Sequence, residues 1–358
     1  MMLNGTNSGS ILKTNNMKLK SLLKGFFTRS EVTTFLLMVG LVILIMIIEP
    51  NYRDAAYIVK AFSRNVEFGL IALIMSFTII AGMMDLSVAS IMTLSATITA
   101  LLYHYAGIPM WLAIVIGLIM GFVQGLINGA MVAYFNIVSI IVTIGTLALY
   151  RGISQIFIGD HSLGDFPKWF NAVDRIYLFK IGNIDIPVTI VGLLVMVVVM
   201  FLILKFTTIG RKIYAIGTSE AAAVCSGLNV KRFKLLLFGF SGLFSAAAGL
   251  MAASRYLVVR YDMAIGGELD IIIICMLGGI SIVGGKGNVI GTLWGILMVT
   301  FIRSGLSVAG IGVDLQLFWM GALLVAAIGV PQIISILREK SLTKRVQREL
   351  DKDSGKTI

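Results

Sequence analysis

The stretch PVTIVGLLVMVVVMFLILKF at residues 187–206 decides the fold class of this chain. Its twenty residues carry a single charge, Lys205, next to the last position. A helix needs about 20 mostly apolar residues to cross roughly 30 Å of hydrocarbon. The stretch therefore predicts a transmembrane helix.

The composition of the whole chain agrees with this prediction. Of its 358 residues, 58% are apolar, 13% are charged and only 2 are cysteines. A soluble domain is about 45–50% apolar and about 25% charged. These values exclude a cytosolic globular enzyme, a disordered chain and a disulfide scaffold.

Ten apolar runs separated by polar breaks predict an all-α polytopic membrane protein with about ten transmembrane helices. The transmembrane region covers residues 33–335. The runs are residues 33–48, 68–83, 86–103, 109–135, 137–150, 187–206, 235–253, 269–283, 289–302 and 315–334.

The formal net charge of +11 predicts the orientation in the membrane. Residues 1–32, residues 205–234 and the tail from Arg338 hold 18 basic and 6 acidic residues, and the rest holds 11 and 12. Cytoplasmic segments carry the excess of Lys and Arg. Six runs separate the first basic segment from the second and four separate the second from the third, so all three lie on one face.

The predicted topology is therefore N-in and C-in. It has a basic cytoplasmic N-terminus (1–32), an external loop (151–186), a cytoplasmic loop (207–234) and a charged cytoplasmic tail (336–358). Basic segments beside a membrane attract anionic lipid, so we expect membrane lipid as a partner. Nucleic acid is not expected, because the segments lack the interleaved aromatic residues that stack on bases.

Two glycine-containing stretches predict broken or re-entrant helices, one near Gly82–Asp85 and one near Gly278–Gly291. An acid between apolar runs is costly unless it has a function or a partner, which makes Asp85 a candidate for the translocation pathway. Alternatively, Asp85 caps the next helix with help from Ser87, or it forms a structural ion pair. The second stretch, which contains Lys286, fails the Walker pattern, so we do not expect this chain to bind ATP.

Glycine recurs every fourth residue in the fourth run, and this spacing predicts close helix packing. The glycines are Gly117, Gly121, Gly125 and Gly129. Asn128 on the same side, with Thr143 and Thr146 in the next run, offers polar groups to a cargo.

A Gly-x-Ser-Gly sequence at residues 239–242 matches the motif of an intramembrane serine protease. That chemistry needs a His to take the proton of Ser241, but both histidines, His104 and His161, lie outside the predicted spans. We interpret Ser241 as a small helix-packing residue. No catalytic residues, metal ligands or cofactors are predicted.

The cytoplasmic loop contains a short helix with clear start and stop signals. Thr218 or Ser219 is placed to cap it, Glu220 lies in its first turn and Gly227 ends it. A connection of this length with its own helix predicts a surface for a partner.

The residues Glu220-Ala221-Ala222 followed by Gly227 resemble the coupling loop of ABC importer permeases, and three further blocks resemble ribose-type monosaccharide permeases. The blocks are residues 82–88 (GMMDLSV), residues 127–152 (ING…GTL…YRG) and residues 267–292 (GELD…GG…GGKG…GT). The resemblance covers about residues 35–335. Met83, Ala89 and residues 136–139 differ from the pattern of this family. These positions lie near the expected pathway, so the differences bear on which solute is transported.

The resemblance implies a non-enzymatic permease subunit in the bacterial cytoplasmic (inner) membrane. Its implied partners are cytoplasmic ATPase subunits, an external or periplasmic sugar-binding protein and a second permease copy or paralogue. Glu220, Ala221, Ala222 and Gly227 would couple it to the ATPase, with Glu220 acting as an N-terminal helix charge or as a contact. A branched-chain amino acid permease and an ion-coupled secondary transporter are the alternatives.

Overall fold

The structure is a computed structural model that describes residues 30–182, 184–312, 314–329 and 333. Residues 1–29 of the predicted basic N-terminus, and the whole predicted tail at 336–358, lie outside the described residues.

Helices dominate the described part of the chain. They are α1 (Ser30–Ile48), α2 (Ala55–Ser63), α3 (Val66–Ile80), α4 (Val88–His104), α5 (Met110–Tyr134), α6 (Ser139–Ile158), α7 (Lys168–Asn171), α8 (Val188–Phe206), α9 (Thr208–Thr218), α10 (Glu220–Cys225), α11 (Val230–Tyr256), α12 (Gly267–Leu277), α13 (Val289–Val308) and α14 (Asp314–Gly329). Two short 3₁₀ turns lie at Pro50–Arg53 and Val173–Arg175.

Every predicted apolar run overlaps one of these helices, which makes the chain an all-α, multi-pass membrane protein. Among the described residues, five helices are long and apolar enough to span a membrane: α5, α6, α8, α11 and α13. A sixth span is counted if α2 and α3, which meet at a bend of 61°, form one broken span. The count of about ten and the N-in/C-in topology stay predictions.

Helix α11 lies at the centre of the bundle and packs against α3, α4 and most extensively α5. The glycine stripe of α5 makes this approach possible, because a Cβ at Gly125 or Gly129 would fall within 3.0 Å of the α11 backbone. A Cβ at Gly121 would meet the carbonyl oxygen of Gly242 in the same way. The predicted packing role of the stripe is confirmed.

The chain leaves helical geometry at both glycine-containing stretches. Helix α3 ends at Ile80 and α4 begins at Val88, with Gly82 at φ +81° between them. Helix α12 ends at Leu277 and α13 begins at Val289, and this gap contains four glycines with positive φ. We call residues 81–87 the first turn and residues 278–288 the second turn.

The predicted external loop is partly helical and partly sheet. Helix α6 continues past Arg151 to Ile158, and the segment then includes α7 and an antiparallel hairpin of β1 (Tyr177–Ile181) and β2 (Ile184–Pro187). Strand β2 leads directly into α8.

Candidate coupling and translocation site

The carboxylate of Asp85 is fully buried and accepts three hydrogen bonds in the first turn. Its Oδ1 accepts from the backbone N–H of Ser87 at 3.1 Å and from the Ser87 hydroxyl at 2.5 Å. Its Oδ2 accepts from the hydroxyl of Ser241 on α11 at 2.8 Å. Such bonds satisfy a charged acceptor that burial would otherwise penalise.

The side-chain bond expected of a capping Asp85 is present. Helix α4 begins at Val88, and Ser87, the residue before it, makes no cap bond of its own. Asp85 accepts from the N–H two residues later, which is the bond by which an Asp caps the start of a helix, and the Ser87 hydroxyl donates to the same oxygen. Among the described ion pairs, none includes Asp85, so the ion-pair alternative finds no support.

Asn128 extends the hydrogen-bonded cluster into α5. Its amide nitrogen donates to the hydroxyl oxygen of Ser87 at 2.7 Å, and its Oδ1 accepts from the hydroxyl of Tyr150 on α6 at 3.3 Å. The Tyr150 hydroxyl also lies 3.2 Å from the carbonyl oxygen of Gln124. The cluster of Asp85, Ser87, Asn128, Tyr150 and Ser241, called the polar cluster below, therefore joins the first turn to α5, α6 and α11.

The two threonines predicted for the pathway behave differently. Thr143 Oγ1 donates to the carbonyl of Ser139 at 2.9 Å and lies 3.5 Å from the carbonyl oxygen of Met84, so it borders the first turn. Thr146 bonds back to Val142 within its own helix at 3.1 Å and does not join the polar cluster. Both side chains are buried.

Sequence reasoning missed Ser241 and Tyr150 as members of the polar cluster. Ser241 is more than a packing residue, because its hydroxyl binds the one carboxylate of the first turn. The sequence signal was the serine within a glycine-containing stretch of α11. Its partner is 156 positions away, which no local pattern indicates.

The two turns contact each other and the C-terminal end of α9. The N–H of Gly285 donates to the carbonyl of Ile80 at 2.8 Å, which joins the second turn to the end of α3. The hydroxyl of Tyr214 on α9 donates to the carbonyl of Gly287 at 2.7 Å. A Cβ on Gly217 would lie closer than 3.0 Å to backbone atoms of Ile80 and Gly285. Only glycine at this position allows α9 to approach the second turn and the end of α3, which leads into the first turn, so closely.

Helix α10 forms where the sequence predicts it. Ser219 occupies the N-cap position and its hydroxyl accepts from the N–H of Ala222 at 3.3 Å, and Gly227 follows the helix with φ +80°. Ala223 is buried against Ile216 of α9 and Val230 of α11. Glu220, Ala221, Ala222 and Gly227 are exposed. Helix α10 is therefore anchored by one face and presents small side chains on the other.

The carboxylate of Glu220 has a partner within this chain. Both of its oxygens accept from Lys234 Nζ on α11, at 2.6 and 2.7 Å, while the Glu220 side chain stays 54% exposed. The pair braces α10 against α11, a role that neither sequence-based alternative included. An ion pair this exposed contributes about 0–1 kcal/mol.

Buried ion pairs occupy the opposite part of the bundle from α10. Arg255 of α11 donates to both carboxylate oxygens of Glu67 on α3 at 2.7 Å, and Glu67 is 1% exposed. Arg303 of α13 lies 2.5 Å from Asp270 of α12. These pairs join helix ends, and no local sequence pattern indicates the partner of either carboxylate.

Among the described residues, no group of three or more His, Cys, Asp or Glu could hold a metal ion. His104 shares a hydrogen bond with the carbonyl of Gly164 at 2.5 Å, away from Ser241.

Comparisons with known proteins identify the family. The model of the branched-chain amino acid transport system permease component matches residues 57–328. The chain belongs to this permease family.

Curated relatives in the family are import permeases. A ribose import permease of Haemophilus influenzae is 32% identical over 302 residues, which cover 83% of this chain and 92% of the relative. A ribose import permease of Bacillus subtilis is 32% identical over 290 residues, with 80% and 88% covered. An autoinducer 2 import system permease of Escherichia coli is 30% identical over 302 residues, with 82% and 88% covered. No solved structure matches this chain.

Proposed function

We propose that this chain is the permease subunit of a bacterial ABC importer and forms the pathway for a monosaccharide or a related polyol-like solute. ATP hydrolysis on partner subunits drives the transport. The relatives support this proposal, because two of those described above import ribose and another imports autoinducer 2.

The contact of α9 with both turns is the observation that carries the proposal. Tyr214 donates to Gly287 of the second turn, and Gly217 lies against Gly285 of the same turn and against Ile80, the residue before the first turn. Helix α10 follows α9 after one residue and presents an exposed face of Ala221, Ala222 and Val224. A partner that moves α10 therefore also moves α9 and, through it, both turns.

The polar cluster is the next element in this chain of contacts. The first turn ends in Asp85 and Ser87, whose hydrogen bonds reach α5 and α11. A displacement of this turn exchanges or breaks those bonds and changes how α4, α5 and α11 pack. We propose that this rearrangement opens the pathway to one side and closes it to the other, with Asp85, Ser87, Asn128, Thr143 and Thr146 close to the solute.

The buried surface of α4 suits a solute rich in hydroxyl groups. Six hydroxyl-bearing residues of this helix or its N-cap are at most 1% exposed: Ser87, Ser90, Thr93, Ser95, Thr97 and Thr99. The hydroxyls of Ser95 and Thr97 and the amide of Gln124 have no hydrogen-bond partner within the described residues. Hydroxyl and amide groups without a partner can hydrogen-bond to the hydroxyls of a sugar when the pathway opens.

The complete importer contains further chains. We propose that the permease pairs with a second copy or a paralogue, that cytoplasmic ATPase subunits bind α10 through Ala221, Ala222 and Gly227, and that an external or periplasmic sugar-binding protein delivers the solute. The chain lies in the cytoplasmic membrane with N-in/C-in topology. Labelling tests this orientation, because Cys225 of α10 is exposed whereas Cys275 is buried. An impermeant maleimide should label Cys225 in inverted vesicles and not in intact cells.

Two observations favour the alternative functions, which are a branched-chain amino acid permease and an ion-coupled transporter. The description of the family model names branched-chain amino acids. The buried carboxylates of Glu67 and Asp270 are groups of the kind that ion-coupled transporters use, although each lies against an arginine.

Reconstitution with the ATPase and the binding protein tests the proposal. Replacing residues 220–227 with a flexible linker should abolish the stimulation of ATP hydrolysis by loaded binding protein, and a linker in the external hairpin at residues 181–184 serves as the control. Stimulation that survives the first replacement contradicts the coupling role. Uptake that continues without ATP and stops when the ion gradient collapses favours the secondary transporter.

A further inference from the structure

A cavity of about 390 Å³ lies at the end of α8, beside the contact between α9 and the second turn. Two cations line it, Lys205 from α8 and Arg211 from α9, and both side chains are exposed. Tyr214 of α9 and Asn288, the last residue of the second turn, also line the cavity. The cavity therefore touches the residue that joins α9 to that turn.

The two cations lack a carboxylate partner in the described part of the chain. The ion pairs found there include neither Lys205 nor Arg211. Lys205 Nζ instead lies over two aromatic rings, 5.1 Å from the centroid of Phe201 and 5.4 Å from that of Phe206. These contacts hold the ammonium group near the cavity without neutralising it.

An apolar stripe on α8 ends at Phe206, whose ring lies under the ammonium group of Lys205. Val198, Leu202 and Phe206 follow one another at intervals of four residues, so they lie on one face of the helix. Their exposed fractions are 55%, 47% and 63%. The stripe belongs to a helix long and apolar enough to span a membrane. It therefore offers an acyl chain a surface that ends beside Lys205.

We propose that this cavity binds the phosphate of an anionic phospholipid, with the acyl chains along the α8 stripe and the headgroup between Lys205 and Arg211. Basic pockets between membrane helices bind anionic headgroups, and a Lys at a helix end extends its charge to the interface. The site differs from a general attraction of the basic loop, because it requires these two cations and not their neighbours.

The neighbouring cations provide a matched control. Lys212 and Lys231 are exposed, belong to the same basic segment and line two other cavities, one each. The double variant Lys205→Gln/Arg211→Gln and the double variant Lys212→Gln/Lys231→Gln lose the same charge. The variant Lys205→Arg/Arg211→Lys keeps the charge of the site and shows whether the bundle tolerates changes there.

Native mass spectrometry of the delipidated full-length permease, titrated with phosphatidylglycerol, measures the binding. We expect Lys205→Gln/Arg211→Gln to weaken phosphatidylglycerol binding roughly 30-fold, the contribution of two cations at an anionic surface. Phosphatidylcholine binding should not change. The Lys212→Gln/Lys231→Gln variant and the charge-keeping variant should bind phosphatidylglycerol within about threefold of the parent chain, about a tenth of the change expected for Lys205→Gln/Arg211→Gln. All variants should elute at the same position in size exclusion.

Three results overturn the proposal. Equal losses in both Gln pairs show a general charge attraction. Competition by inorganic phosphate or free glycerol phosphate as strong as that by phosphatidylglycerol shows a site for a soluble phosphate. Unchanged phosphatidylglycerol binding together with lost co-purification of the ATPase shows that an acidic protein surface occupies the cavity. The binding measurement uses the permease alone, so it does not depend on the identity of the transported solute.

Discussion

The substitution Gly217→Ala tests whether α9 is seated against both turns. In a solvated helix the alanine would stabilise by about 0.5–1 kcal/mol. At this position the new Cβ falls on backbone atoms of Ile80 and Gly285, and backbone cannot rotate away as a side chain can. Overpacking of this kind costs about 1–3 kcal/mol, so we expect a net loss of about 1–2 kcal/mol.

Thermal unfolding of the purified permease in detergent measures this loss, and Gly192→Ala provides the control. Gly192 lies within α8 and has no atom within 4 Å of the position of an added Cβ, so its substitution should leave the melting temperature equal or slightly higher. Gly217→Ala should lower the melting temperature by several degrees. A Gly217→Ala protein that is as stable as the Gly192→Ala protein would refute the close approach of α9 to the turns.

Three further substitutions test the site. Asp85→Ala leaves the hydroxyls of Ser87 and Ser241 without their buried acceptor and should lower the free energy of unfolding by about 1–3 kcal/mol. Ser241→Ala should lower it by less. An Asp85→Ala protein as stable as the parent chain would contradict the polar cluster. Arg255→Met leaves the buried Glu67 carboxylate without that arginine, so the free energy of unfolding should fall by about 3–5 kcal/mol. The double variant Glu67→Leu/Arg255→Met should recover much of this loss. A double variant no more stable than Arg255→Met would disprove the pairing. The exchange Glu220→Lys/Lys234→Glu keeps an ion pair between α10 and α11, so the free energy of unfolding should change by less than about 1 kcal/mol. If the exchanged protein also retains ATPase stimulation, Glu220 acts only through this ion pair.

The elements of the fold follow from local sequence patterns. Hydrophobic length alone predicts α8, and the cap and stop residues Ser219 and Gly227 delimit α10, because these signals depend on neighbours within a few positions. The glycine stripe of α5 predicts a close helix neighbour in the same way. It does not identify α11 as that neighbour, since many helices in a bundle offer a similar surface.

The candidate site depends on contacts that are distant in sequence. Asp85 stood out because a carboxylate between apolar runs is costly, but its role could not be read from Gly82 to Val88 alone. Ser241 donates to its carboxylate from 156 positions away, and Gly285 donates to the carbonyl of Ile80 across six intervening apolar runs. Glu220 shows the same limit, because its partner Lys234 belongs to the next helix.

Transport per ATP hydrolysed tests most directly whether the contact between α9 and the turns transmits movement from the ATPase. The variant Tyr214→Phe/Gly217→Ala removes the hydrogen bond to Gly287 and crowds the contact, and Tyr105→Phe, at a side chain 77% exposed, is the control. The comparison uses reconstituted complexes of equal composition with ribose as the first solute. We predict that the variant complex still hydrolyses ATP but transports less solute per ATP than the parent and the control. An unchanged ratio would contradict the account.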